Sequence, residues 1–246
     1  MKRLFFFLVI AVAVVAILLT TDGDKDHSVS LKREIVIPES SQNTLTNTES
    51  EAGWILLFNG NDIDSWTLIG DVSSGFRLEN GVIVLSGSLV SKSYLISKEK
   101  YKDFEVSFQW KVSNKSKGAF LYGVKQAENI FALIYPLIDD IGLQGSSEPC
   151  NTTGSLGHII PSGSKKIKGT GEWNNSKILV LNNEVQHWLN NDVILKYHLD
   201  SDTIVKYMEI TSRHNYLQSI KRENFSIGFV ESEGQIQLRN IKIKPL

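Results

Sequence analysis

Residues 53–246 predict an all-β domain, a two-sheet sandwich or jelly roll of antiparallel strands, on three observations. The segment FEVSFQWKVS alternates without interruption. Phe104, Val106, Phe108, Trp110 and Val112 fall on one face, and Glu105, Ser107, Gln109, Lys111 and Ser113 on the other. A half-buried antiparallel strand has this pattern because successive side chains point to opposite faces. Asparagine-rich pairs separate apolar runs at the spacing of tight turns, and no long amphipathic helix follows residue 53.

Taken in order, the chain opens with Lys2 and Arg3 ahead of LFFFLVIAVAVVAILL (4–19), a run with no polar group. Residues 1–21 therefore read as an export signal or membrane anchor. As a helix the run reaches roughly 24 Å against a hydrocarbon core of about 30 Å, long for a signal core and short for a span. Its exit offers Leu19 and Thr21, a poor cleavage site, so retention in the membrane stays open. Residues 22–52 are rich in Ser, Thr, Asn and acids and read as a disordered tether. The expected location is extracytoplasmic.

Beyond that boundary, FRLENGVIVL places Asn80-Gly81 between apolar runs, the composition of a primed hairpin turn with positive φ at both central positions. KILVLNNEVQHWLNNDVILKYHL repeats the device at Asn182-Asn183 and at Asn190-Asn191-Asp192. In QIQLRNIKIKPL the apolar positions slip by one residue at Arg239-Asn240, as a β-bulge would make them do. SDTIVKYMEITSRHNYLQSIK has room for one short helix with Ile204, Met208 and Thr211 on one side.

Composition excludes several functions. The chain has 246 residues, 41% hydrophobic and 22% charged, with 26 Lys and Arg against 27 Asp and Glu. Such a balance gives no general attraction to phosphate backbones, so nucleic acid is not an expected partner. Lys165, Lys166 and Lys168 read as a solvated loop. The single cysteine, Cys150, excludes an internal disulfide and reads as a packed, inert thiol. No nucleotide-binding glycine loop, zinc spacing or Ser-His-Asp signature occurs.

Five segments carry a resemblance: GWILLFNGNDIDSW (53–66), YKDFEVSFQWKVS (101–113), TTGSLGHIIPSGSKKIKGTGEWN (152–174), NNEVQHWLNNDVILKYHL (182–199) and IGFVESEGQIQLRNIKIKPL (227–246). In order and spacing the chain resembles the 3-keto-disaccharide hydrolase domain family, formerly a domain of unknown function, over nearly all of 53–246. The resemblance implies a concanavalin A-like jelly roll acting on sugars outside the cytoplasm. The implied reaction releases the C1 substituent of glycosides oxidised at C3. It needs a base, an acid and enolate stabilisation.

The chain also departs from the family. Where the family commonly reads P-E-Y-Q-L-x-D, this chain has Ile134 and Pro136 in place of the Glu and Gln. Phe229 to Gly234 replaces L-Q-D-H-G, Ser116-Lys117-Gly118 replaces N-S-G, and Gly157 replaces an aromatic. If the lost Glu was a base, its absence forfeits about 10²–10⁴-fold, roughly 3–5 kcal/mol of barrier.

From these readings the candidate catalytic residues are Asp139, Glu231 and Lys111, and the candidate substrate-binding residues are Asp140, Tyr135 and His158. Asp139 and Asp140 match the family's acidic pair and suit a base, a sugar contact or plain turn residues. Glu231 keeps a carboxylate at the family's Asp, and Lys111 suits an enolate or a solvated strand position. His158 suits a sugar contact, a proton carrier or a surface loop. Trp54, Trp66, Trp173 and Trp188 suit sugar stacking or the core. No cofactor or metal is expected, though the acidic pair with other oxygens leaves a divalent cation open. The expected partner is a saccharide or glycoside, with the membrane contacted through the N-terminal segment. Two readings follow: an exported hydrolase or lyase on keto-glycosides with a rearranged site, or a catalytically degenerate carbohydrate-binding or surface-interaction module.

Overall fold

The computed structural model describes residues 42–246, apart from 71–74, 88–91, 127–129 and 145–146. The apolar segment 4–19 and the tether up to residue 41 lie outside the described residues. No helix among those described is long and apolar enough to cross a membrane.

The described residues hold strands β1 (Ile55–Leu56), β2 (Trp66–Gly70), β3 (Phe76–Glu79), β4 (Val82–Gly87), β5 (Ser93–Ser97) and β6 (Phe104–Val112). They continue with β7 (Lys117–Gln126), β8 (Ile130–Ile138), β9 (Asn174–Leu181), β10 (Glu184–Leu189), β11 (Asp192–His198) and β12 (Ser226–Pro245). The α-helices are α1 (Asn47–Glu51), α2 (Asp202–Ile210) and α3 (His214–Ile220).

Two antiparallel sheets form the expected sandwich. The first runs β11-β10-β9-β6-β12-β4-β3, with β1 also on β12, and the second runs β2-β5-β12-β7-β8. β12 belongs to both: its first part pairs with β5 and β7, its remainder from Gly234 with β4 and β6. Burial along β6 alternates at every residue, as the sequence predicts. Phe108 of β6 meets Phe120 of β7 and Phe229 of β12 with ring centroids 5.1 and 5.0 Å apart, so aromatic rings from both sheets join the core.

The turn readings hold. Asn80 and Gly81 have φ of 50° and 73°, Asn182 and Asn183 50° and 67°, and Asn190 and Asn191 47° and 73°. The register slips between Arg239 and Lys242, with Asn240 at φ 52°, where the bulge was expected. Trp66 lies in the core, whereas Trp54, Trp173 and Trp188 are half-buried. These three lie under cations: Arg239 is 4.0 Å from the Trp173 ring, Lys177 4.0 Å from Trp188 and Lys242 5.8 Å from Trp54.

Two expectations change. The stretch 42–52, read as tether, is folded: a capping box between Thr46 and Glu49 starts α1. Asn43 is buried and clasps the distant bulge, donating its N–H to Asn240 Oδ1 at 2.5 Å and accepting from Asn240 N–H at 2.8 Å. Its side-chain amide also donates to Gly81 O at 2.7 Å. The second change lies in 201–221, which holds two helices, broken where Ser212 takes φ 56°. Ile204 and Met208 are buried as expected, while Thr211 is the C-cap of α2.

Candidate functional site

The outer face of the second sheet carries a cleft of about 520 Å³. Strand alternation makes its floor, because β7 sends Phe120 and Tyr122 into the core and Ala119 and Leu121 outward. β8 adds Ala132, Ile134 and Pro136, and β12 adds Val230 and Ser232. Pro136 fits because β8 is an edge strand, pairing among the described strands only with β7. Polar groups stand around this apolar floor: Lys92 and Tyr94 from the β5 side, Lys117 from the start of β7, and Arg213 from the α2–α3 junction. Glu148, Asn151 and His158 come from the loop that follows β8.

That loop is stitched along β8, covering its open edge. Gly154 donates its N–H to Pro136 O at 3.1 Å and Gly157 to Ile134 O at 2.9 Å. A Cβ on Gly157 would stand 3.0 Å from the Ile134 side chain, which would have to shift by a few tenths of an ångström to admit it. Thr153 Oγ1 exchanges hydrogen bonds with the backbone of Ile138. The His158 N–H donates to Cys150 O at 3.1 Å, and His158 has φ 69°.

The acidic pair frames the cleft but does not line it. Asp139 is buried and accepts from Lys115 N–H at 2.8 Å and Gly142 N–H at 3.0 Å. Burial pushes its carboxyl up, but the Gly142 and Lys115 N–H groups outweigh it and hold the pKa below the usual carboxylate range. Asp140 accepts from Thr153 N–H at 2.9 Å, and its other oxygen lies 2.8 Å from Lys165 Nζ in an ion pair outside directed hydrogen-bond geometry. The two acids therefore anchor the β6–β7 turn and the loop. Among the described residues no group of three His, Cys, Asp or Glu is placed to hold a metal.

The other sequence candidates separate. Of the six, only His158 lines the cleft. Lys111 lies on the outer face of the other sheet, 4.9 Å from the Trp173 ring. Tyr135 points into the core, donating to Trp188 O at 3.0 Å and sharing a 2.9 Å hydrogen bond with Ser176. Burial pushes its phenol well up. Glu231 is fully buried at the pairing position of Gly118, where a Cβ would stand 2.5 Å from Glu231 Oε2. Its Oε1 accepts from Ser116 Oγ at 3.1 Å and Glu233 N–H at 3.2 Å, and its Oε2 has no hydrogen-bond partner among the described residues. Burial raises its pKa to about 8, against weaker help from the N–H groups of Glu233 and Lys117 and the Ser116 hydroxyl.

Behind the floor lies a polar chain that the sequence candidates omit. His187 is fully buried, with Nδ1 2.9 Å from Gly154 O and Nε2 2.9 Å from Tyr122 Oη, which in turn meets Tyr197 Oη. A carbonyl only accepts, so Nδ1 carries the proton and Nε2 accepts from Tyr122. Burial lowers the His187 pKa to about 4, keeping the ring neutral. The chain ties the loop carrying Glu148 and His158 to the core. His187 gave only a core signal in sequence, alternating with Val185 and Leu189. Lys92, Tyr94, Glu148 and Arg213 gave none, because their convergence depends on which strands become neighbours.

Comparison with known proteins covers most of the chain. Residues 53–244 match the 3-keto-alpha-glucoside-1,2-lyase-like domain family. A 3-keto-disaccharide hydrolase of Bacteroides thetaiotaomicron is 25% identical over 232 residues, 79% of each chain. A crystal structure of a candidate glycosyl hydrolase from Parabacteroides distasonis is 28% identical with a TM-score of 0.72, covering 83% of this chain and 99% of that one. A second structure from that organism, 16% identical with a TM-score of 0.61, covers 78% of this chain and 99% of the other and shares the fold.

Proposed function

The chain belongs to the 3-keto-alpha-glucoside-1,2-lyase-like domain family, and from that premise we propose that its cleft cleaves glycosides oxidised at C3 with a divergent set of catalytic groups. Family membership marks a carbohydrate-active, glycosyl hydrolase-like domain. The observation carrying the finer reading is the convergence in one cleft of two proton-transfer side chains, Glu148 and His158, with three cations over an apolar floor. In the reaction a base takes the C2 proton that the C3 ketone has acidified. The enolate then expels the C1 substituent, which takes a proton from an acid, and water adds at C1. Glu148 and His158 take the two proton-transfer roles, and positive charge at the rim offsets the enolate.

Divergence is supported by where the unusual residues fall. Ile134, Pro136, Lys117, Gly118, Val230 and Ser232 all line the cleft, and Gly157 packs on Ile134. The family's Glu and Gln positions thus face the cleft as apolar side chains, and the proton carriers come from the loop instead.

The test is turnover of 3-keto-glycosides by wild type, Glu148→Gln and His158→Ala, with binding of the unoxidised sugars measured in parallel. Each variant should lose on the order of 10²-fold or more in kcat, the usual share of a general acid or base. Sugar binding without turnover in wild type would make the domain a carbohydrate-binding module. The apolar run 4–19 supports an extracytoplasmic location. Fractionation with N-terminal sequencing would show a membrane-held chain or one cleaved near Asp22, and a cytoplasmic chain would exclude export.

A further inference from the structure

Charge in the cleft is more one-sided than cleavage of a neutral sugar requires. The chain as a whole carries a formal net charge of -1, yet among the described residues Lys92, Lys117 and Arg213 line this cleft and Glu148 is the only carboxylate that does. Lys117 pairs with Glu233 at 2.7 Å, but both side chains are exposed, so that pair is weak and exchangeable. Among the described residues no carboxylate pairs with Lys92 or Arg213. Arg213 lies 5.6 Å from the Phe131 ring, which holds its guanidinium at the wall.

The positions of these cations separate two uses for them. Lys92 immediately precedes β5, and Arg213 stacks on β8, with β12 and β7 between. Three ladder steps set the two strands roughly 14 Å apart. One enolate oxygen needs only one of these cations beside it. Positive charge spread across the whole width, over a floor that accepts the apolar faces of sugar rings, suits a ligand carrying its own negative charge. A guanidinium fork matches the paired oxygens of a carboxylate or a sulfate.

Resting on the glycoside reading of the cleft, we propose that its substrate class is an anionic glycoside, in which a carboxylate or sulfate group on the sugar is held by Arg213 and Lys92. The floor is mainly apolar, and Glu148 disfavours that group at the loop side, so its place is toward Arg213 and Lys92.

The experiment uses the full chain and calorimetric titration with three disaccharides of one linkage: neutral, uronic acid-containing and 6-O-sulfated, each with and without C3 oxidation. The anionic sugars should bind about tenfold tighter than the neutral one at low salt, as two screened ion contacts provide. That preference should shrink as salt rises, and Arg213→Gln and Lys92→Gln should each lower the anionic-to-neutral ratio. The sugar with the larger ratio identifies the group. Equal or tighter binding of the neutral sugar overturns the proposal and leaves the glycoside reading standing. A ratio unmoved by both substitutions, or inorganic sulfate binding as tightly as the sulfated sugar, also overturns it. If no sugar of either charge binds or turns over, the glycoside reading falls and the proposal with it.

Discussion

Glu231 and His187 are buried titratable groups whose pH dependences oppose each other. Glu231 is protonated in the fold, with a pKa raised from 4.5 to about 8, so the native state holds more protons than the unfolded chain between those values. Stability therefore falls as pH rises through that window, by up to about 5 kcal/mol for such a shift. His187, lowered from 6.5 to about 4, is neutral in the fold. It makes stability rise with pH between those values, and the two slopes oppose each other below pH 6.5. Above it Glu231 acts alone. Wild type should lose about 2 kcal/mol between pH 6.5 and 8, a fall of about 4–8 °C in Tm, and Glu231→Gln should flatten the curve. Parallel melting curves for the two proteins would refute the assignment. At this scale sequence reading named residues that border the cleft more often than residues that line it. Asp139, Asp140 and Tyr135 sit beside the cleft, but hydrogen bonds to backbone or core and, for Asp140, the ion pair with Lys165 claim their polar atoms. A linear pattern of acids does not show which backbone N–H groups will surround it.

At the scale of elements, local chemistry was legible wherever it was self-contained. The asparagine turns and the bulge were readable because positive φ favours Asn and Gly at the turn itself. The clasp at Asn43 was not, because its partner Asn240 is 197 positions away and nothing in the sequence links the two. The same limit hid the loop along β8, because the partners of its anchors Thr153 and Gly154 lie on a strand that ends more than ten residues earlier. The clasp makes α1 part of the domain, and truncation measures its contribution. Proteins starting at Gln42 and at Gly53 should both unfold cooperatively with β-rich spectra. The shorter one should be less stable by about 2–3 kcal/mol, the net worth of three partly buried hydrogen bonds. Equal urea midpoints would mean that residues 42–52 lie on the fold without supporting it.

For the whole molecule, the decisive element is the one strand that serves both sheets. The alternation in 234–245 was legible, yet nothing in it says that the chain from Ser226 to Pro245 is continuous strand with partners in two sheets. That is set by long-range pairing. Gly234 is the corner, at φ 87°, and a Cβ there would stand 3.0 Å from Ser113 Oγ and 3.1 Å from Ser116 Cα. Gly171 is a matched control, at φ 80° with nothing within 4 Å of its virtual Cβ. Alanine at Gly171 should cost about 1–2 kcal/mol, the strain of positive φ alone. Alanine at Gly234 adds contact with the turn that Asp139 braces, and the total should reach about 2–4 kcal/mol. Because β12 carries Phe229 into one sheet's share of the core and Ile236 and Leu238 into the other's, loosening the corner should weaken both sheets together. Tryptophan fluorescence and far-UV circular dichroism should then report one coincident transition at lower denaturant for Gly234→Ala. Two separated transitions, with one sheet outlasting the other, would show that the sheets are stable independently and that the shared strand does not couple them.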